Sequence, residues 1–296
     1  MDQEISHVKA PATFEQQIEI LRSRGLIIDN EDLAIRTLQR VNYYRLTAYG
    51  LSLKRDDRYN PGVTFSRICA LYEFDHQFRY LLMDMTEQIE IAFRTHISYL
   101  IAHKYGALGY LDGTHFENST YHSSFLNELN KEFKRSQEIF IKHHFEKYNG
   151  IIPIWVAVEV LSFGALSKLF KNMKNEDKNQ IARSNYYIPA IYLESWLQCL
   201  SYVRNICAHY GRLYNRPLTS KPRLSSHAKK LGIQQNKIFA HLFALKHLIP
   251  DYEKWTDFIT RLEALITKYK EVVELDRIGF PEDWEALLIS RRQIGQ

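Results

Sequence analysis

Arg204, Asn205 and His209 stand within six positions of one another, and Arg212, Asn215 and Arg216 follow at once in the stretch RNICAHYGRLYNR. No carboxylate interrupts them. These residue types suit a phosphodiester. Arginine offers a planar fork of donors matched to phosphate oxygens. Histidine can give and take a proton near neutrality. RNA carries its own nucleophile, the 2′-hydroxyl. An arginine and a histidine aimed at one phosphate could therefore cleave RNA without a metal, the histidine moving a proton and the arginine stabilising the charged transition state. The plain alternative is a basic surface helix with a capping histidine, and spacing does not separate the two.

On a helix of about 100° per residue, with Arg204 at zero, every strongly polar side chain of 204–216 falls in one arc of about 140°. Val203, Ile206, Cys207, Tyr210, Leu213 and Tyr214 fill the arc from about 180° to about 300°, so both tyrosines are expected to pack inward. Gly211 falls between the faces. The neighbourhood is also cationic. From Ser195 to Pro250 there is no Asp or Glu, while Arg204, Arg212, Arg216, Lys221, Arg223, Lys229, Lys230, Lys237 and Lys246 all lie there. With a net charge of +5 overall, nine cations in this window leave the rest of the chain at −4. Such segregation is the footprint of a polyanion partner, not in itself of catalysis.

The elements that must position these residues read as helices. The spacing predicts helices over FEQQIEILRS, over EDLAIRTLQRV behind an Asn30 cap, and over a tract from Thr64 to about Gly106, as one helix or two. SFLNELNKEFKRSQEIFIKHHFEKY reads as helical, and so does IWVAVEVLSFGALSKLFKNM after Pro153. A short helix capped by Asn175 follows. A long helix after Pro189 is expected to run to near Pro217, and three more segments lie around 235–248, 251–274 and 281–292. RDDRYNPG reads as a turn or loop, and strand alternation is absent. The fold class is all-α, a single domain over 1–296, with a C-terminal helical lobe as an option from about 230. At 45% apolar and 25% charged residues the chain can bury a substantial core, which excludes global disorder.

Other chemistry finds less support. Cys69, Cys199 and Cys207 fit no zinc pattern and read as reduced, cytosolic thiols. The start, MDQEISHVKAPATFEQQ, lacks the apolar core of a secretory signal, and no run is apolar enough to span a bilayer, so a cytoplasmic location is expected. His96 and His103, and His143 and His144, lack the spacing of a zinc hydrolase, and no Gly-rich phosphate loop is present. No metal ligand set and no cofactor is expected. The 19 Tyr and 16 Phe could stack on RNA bases, but most recur at core spacing. Glu159 sits in the apolar run WVAVEVLSF and calls for a cationic partner, for which Arg204 or Arg212 is attractive. Glu90 and Arg94, at i and i+4, read first as a helix-stabilising pair, and second as neighbours of the site.

Arg204, Asn205 and His209 resemble the signature of HEPN-type ribonucleases. The wider string VRNICAHYGRLYNR resembles the hallmark of the Abi-like (AbiD/AbiF-type) abortive-infection family. FEQQIEILRSRGLIIDN, LQRVNYYRLTAYG, LYEFDHQFRYLLMDMTEQIEIAFRTHISY, PIWVAVEVLSFGALSKLF and SWLQCLSYVRNICAH agree with that family in order, from about residue 14 to about 218. The resemblance implies a HEPN-like helical bundle with added N- and C-terminal helices, a role in phage defence, and toxic RNA cleavage leaving 2′,3′-cyclic phosphate ends. His209 would be the general acid/base, Arg204 would hold the scissile phosphate, and Asn205 would orient one of them. Arg212, Asn215, Arg216, Lys221 and Arg223 would extend the binding face, with Glu159 in support. The chain offers one such motif, so the resemblance also implies a homodimer with a composite site, and restraint by a small RNA or a protein antitoxin. Two other classes stay open: a non-catalytic RNA-binding module on the same face, and a basic helix that docks an acidic protein.

Overall fold

A computed structural model describes residues 10–249 and 251–290. Contacts group the chain into two compact units, one from the described parts of 1–78 with 264–274, the other from 79–263 with those of 275–296. Helices dominate both, as the sequence predicts.

The first unit opens with α1 (Phe14–Ser23), where Thr13 and Gln16 form a reciprocal capping box, and Gly25 follows at φ +84. The Asn30 side chain accepts from Leu33 N and starts α2 (Glu31–Leu38), and Asn42 starts α3 (Tyr43–Thr47). RDDR is a small hairpin rather than a plain loop. Asp56 and Asp57 both take positive φ, the condition for a tight turn that matches strand twist, so β1 (Lys54–Arg55) pairs with β2 (Arg58–Tyr59). The tract after Thr64 is one helix, α4 (Phe65–Tyr105), which ends at Gly106 at φ +86. Its first part, to Phe78, belongs to this unit.

The second unit holds the rest of α4, where Leu82, Met85, Ile89, Phe93 and Ile97 are buried at helical spacing. Next come α5 (Ser119–Arg135) and α6 (Ile139–Lys147), separate helices because Ser136 turns to extended backbone. The segment after Pro153 also divides. It forms α7 (Ile154–Ala157), a 3-10 turn over Val158–Val160, and then α8 (Phe163–Asn172), whose N-terminus is capped by the Ser162 side chain on Ala165 N. The single helix expected over that stretch gives way because a serine hydroxyl satisfies a new set of N–H donors. In α9 (Asn175–Tyr186) Asn175 is the first helical residue rather than the cap, and Glu117 Oε1 accepts its N–H.

The core of this unit centres on α10 (Ala190–Ala208), which packs on α8 and α9. Leu193, Trp196, Leu197, Leu200 and Val203 are buried along it. From α4, Phe93 meets Phe170 of α8 edge to face at 5.2 Å. After the short α11 (Ser226–Lys230), α12 (Ile238–Leu245) is buried along its whole length against α10. α13 (Tyr252–Lys268) and α14 (Trp284–Ile289) complete the helices. The three C-terminal helices are thus shorter than their apolar spacing suggests. No helix among the described residues is long and apolar enough to cross a membrane.

Candidate functional site

Two breaks in helices make this site. The first ends α10 at Ala208, eight residues short of Arg216. His209 is its cap residue, Tyr210 enters the left-handed region at φ +57, Tyr210 N donates to Cys207 O, and Gly211 N donates to Ile206 O at 2.7 Å. This is the Schellman pattern of crossed bonds that satisfies terminal carbonyls. Gly211 is required not by its own φ but by space, because a Cβ there would meet Ile206 Cγ2 at 2.9 Å and Ile206 O at 3.1 Å. The continuous helix expected to Pro217 is therefore corrected, and with it the single polar arc: Arg212, Asn215 and Arg216 do not share a helical face with Arg204. Tyr214 is buried as expected, but Tyr210, placed by the cap, is 66% exposed.

Beyond the cap the chain folds back along α10. Ser220 Oγ donates to Cys199 Sγ at 3.1 Å, Arg223 N donates to Ser195 Oγ at 2.9 Å, and Trp196 Nε1 donates to Arg223 O at 2.7 Å. Later residues thus meet earlier turns of the helix. The returning segment carries Arg212, Arg216, Lys221 and Arg223. Arg212 Nη1 donates to Tyr214 O, and Arg216 Nη1 to Arg212 O, so both half-buried guanidinium groups brace the loop. Asn215 takes φ +49, a conformation asparagine tolerates better than most residues.

The second break, at Leu161–Ser162, builds the support for Arg204. Freed carbonyls of Glu159 and Leu161 accept from Arg94 Nη1 at 2.9 Å and Nη2 at 2.8 Å. Arg94 Nη2 also reaches Glu90 Oε1 at 2.7 Å, and the other oxygen of Glu90 lies 3.3 Å from Arg204 Nη2. The Glu90 side chain is 7% exposed and that of Arg204 30% exposed. Asn205 Oδ1 accepts from Arg204 Nη1 at 3.3 Å. A buried carboxylate on α4 and a neighbouring amide thus hold the partly exposed guanidinium.

Glu159 does find a cation, but it is Arg94 at 3.3 Å and neither Arg204 nor Arg212. The side chain is about half exposed, since the 3-10 turn carries it out of the apolar run toward α4. Glu90 and Arg94, first read as a pair internal to one helix, lie beside Arg204. The sequence did hold a signal for this: Glu90 falls within about 20° of Ile97 on the buried stripe of α4, where a lone carboxylate is costly. His209 is exposed at the end of α10. It lies five positions after Arg204, so the two leave the helix axis about 140° apart. Lys221 and Arg223 are exposed while Pro222 and Leu224 between and after them are buried, an alternation that turns both cations outward. All three cysteines are free thiols, Cys199 and Cys207 buried.

Residues 36–215, more than half of the chain, match the model of a family described as Abi-like protein. The chain matches no curated protein and no solved structure.

Proposed function

This chain belongs to the Abi-like protein family, and we propose on that premise that it is a metal-independent endoribonuclease acting as a toxin in abortive infection. His209 serves as general acid/base. Arg204 binds the scissile phosphate and stabilises its transition state, with Asn205 and Glu90 orienting the guanidinium. The 2′-hydroxyl attacks the adjacent phosphorus, the P–O5′ bond breaks, and the products carry 2′,3′-cyclic phosphate and 5′-hydroxyl ends. The observation that carries this reading is the Arg94–Glu90–Arg204 chain of contacts, in which a buried carboxylate fixes one partly exposed guanidinium, five positions before an exposed histidine.

Because Arg204 and His209 diverge on one helix, the working site combines them from two copies of the chain. Arg212, Asn215, Arg216, Lys221 and Arg223 extend the binding surface, and a small RNA or protein antitoxin restrains the toxin. The test is cleavage of a mixed cellular RNA pool in EDTA by the purified protein and by His209→Ala. Cleavage by the wild type only, with cyclic phosphate ends, is expected. Equal gel shifts with no cleavage by either protein, in a preparation free of bound inhibitor, would replace the nuclease with an RNA-binding module.

A further inference from the structure

Away from Arg204, the returning segment and α11 enclose a concavity of ≈ 550 Å³. Lys221, Arg223 and Lys229 line it together with Ser226, Tyr192 and Gln235. The wall is rigid. Gln235 Nε2 donates to Pro222 O at 2.9 Å, Leu218 N donates to Asn236 O at 2.8 Å, and Ser195 and Trp196 fix both backbone groups of Arg223. Ser225 caps α11 through Ala228 N and so sets the position of Lys229. Among the described residues none of the three cations has a carboxylate partner within ion-pair distance, and Glu194, next to the wall, is already taken by Lys178 at 3.0 Å. Three like charges held on a fixed frame repel one another unless an anion sits between them.

We propose that this pocket is a second phosphate site that seats a phosphate ester between Lys221, Arg223 and Lys229. The volume suits a nucleotide unit. Arg223 supplies the fork, the lysines supply point charge, and the Tyr192 ring and Gln235 amide flank the rest of the unit. Ser195 on its wall precedes His209 by fourteen residues, which places the pocket about 20 Å back along α10, within about 40° of the bearing of His209. The segment bearing Arg212 and Arg216 joins the two and reaches α10 again at Cys199 and Ser195. An RNA strand lying on that segment meets His209 at one end and the pocket at the other. The strand as the source of the phosphate rests on the proposed RNA chemistry. The phosphate chemistry itself does not, and a free nucleotide is the other source.

The experiment compares full-length His209→Ala, which cannot turn over its probe, with the same chain also carrying Lys221→Ala, Arg223→Ala and Lys229→Ala. Lys229→Glu alone serves as a milder second variant. Thermal melting checks that the exposed substitutions leave the fold intact. One arm follows a fluorescein-labelled 20-nucleotide single-stranded RNA by anisotropy across a salt series, and the other follows AMP by calorimetry. Weaker RNA binding, on the order of tenfold, with a salt slope shallower by roughly 0.7 for each phosphate released, supports the site with RNA as its source. Lost AMP binding with unchanged RNA binding supports it with a free nucleotide as the source. Unchanged affinity and slope for RNA, with no change toward AMP, overturns the proposal. Cleavage by the wild-type chain is scored separately, so an inert pocket leaves the nuclease reading standing, and an inactive nuclease leaves the pocket standing.

Discussion

Glu90 touches two guanidinium groups and lies on a different helix from the motif it serves. Replacing it by glutamine keeps the shape and removes the charge. Arg94 retains its two carbonyl acceptors, so its position should hold, whereas Arg204 keeps only Asn205. Glu90→Gln is therefore expected to lower RNA cleavage at least tenfold while RNA affinity stays within about threefold, because an unaimed arginine still binds phosphate but no longer meets the transition state. The stability cost should be about 2 kcal/mol, below the ~3–5 kcal/mol of a fully buried pair, because Arg204 reaches solvent. A kcat unchanged in Glu90→Gln, with only a lower Tm, would reduce Glu90 to a structural ion. The spacing of Arg204, Asn205 and His209 was legible as a candidate site because it is local. The contact of Glu90 with Arg204 was not, since it depends on how α4 and α10 approach each other.

At the scale of elements, each helix end decides where a functional group points. The close approach at Gly211 makes the cap of α10 intolerant of even one added carbon. Gly211→Ala should destabilise by about 1–3 kcal/mol, as overpacking does, and should loosen the returning segment. Urea denaturation measures the first effect, and limited proteolysis within 211–224 measures the second. A Gly211→Ala protein as stable as the wild type would mean that Ile206 moves aside at little cost. On the scaffold side, Phe93→Ala empties an edge-to-face contact in a fully buried site and should cost about 3–5 kcal/mol. Apolar periodicity showed which faces of α4 and α10 are buried. It did not show the stops at Ala208 and Leu161, because neither Gly211 at the far side of a cap nor Ser162 inside an apolar run disturbs the period.

At the scale of the whole molecule, symmetry and pH give two further tests. If Arg204 and His209 act across two copies, mixing Arg204→Ala with His209→Ala protein restores one of the two pairs in each mixed dimer, and since random one-to-one exchange makes about half of the dimers mixed, cleavage should recover toward about a quarter of the wild-type level. No recovery after verified subunit exchange would place both groups in one chain. The acid side of stability should follow two histidines of the second unit. Burial pushes His241 down to about 4, outweighing the Lys237 and Ser220 carbonyls that its ring faces, and burial together with Lys246 pushes His247 down to about 3. The unfolded chain protonates both near 6.5, so below that pH it holds more protons than the native state. Stability should fall as pH drops from about 6.5 toward 4, by roughly 3 kcal/mol for His241 over the full span. His247 stacks on Trp196 and its Nε2 is buried without a partner, so His247→Phe should flatten the fall measured by urea melts at pH 7 and pH 5. Equal pH dependence in the two proteins would assign the loss to other groups.

Local chemistry wrote the helical class, the Asn30 cap, the apolar stripe of the Thr64–Gly106 tract and the Arg204–His209 spacing into the sequence, because helix periodicity and capping act over three or four residues. The absence of acids from 195–250 is likewise a property of the sequence alone. Tertiary structure decided the rest. It chose Arg94 for Glu159, set Glu90 under Arg204, turned Tyr210 outward, and folded Lys221 and Arg223 back along α10 to meet Lys229. Tyr210 follows from the local cap of α10, but the other outcomes depend on groups far apart in the chain, with contacts that form only when helices pack. No periodicity within one segment records which distant carboxylate or carbonyl will be there to receive a side chain.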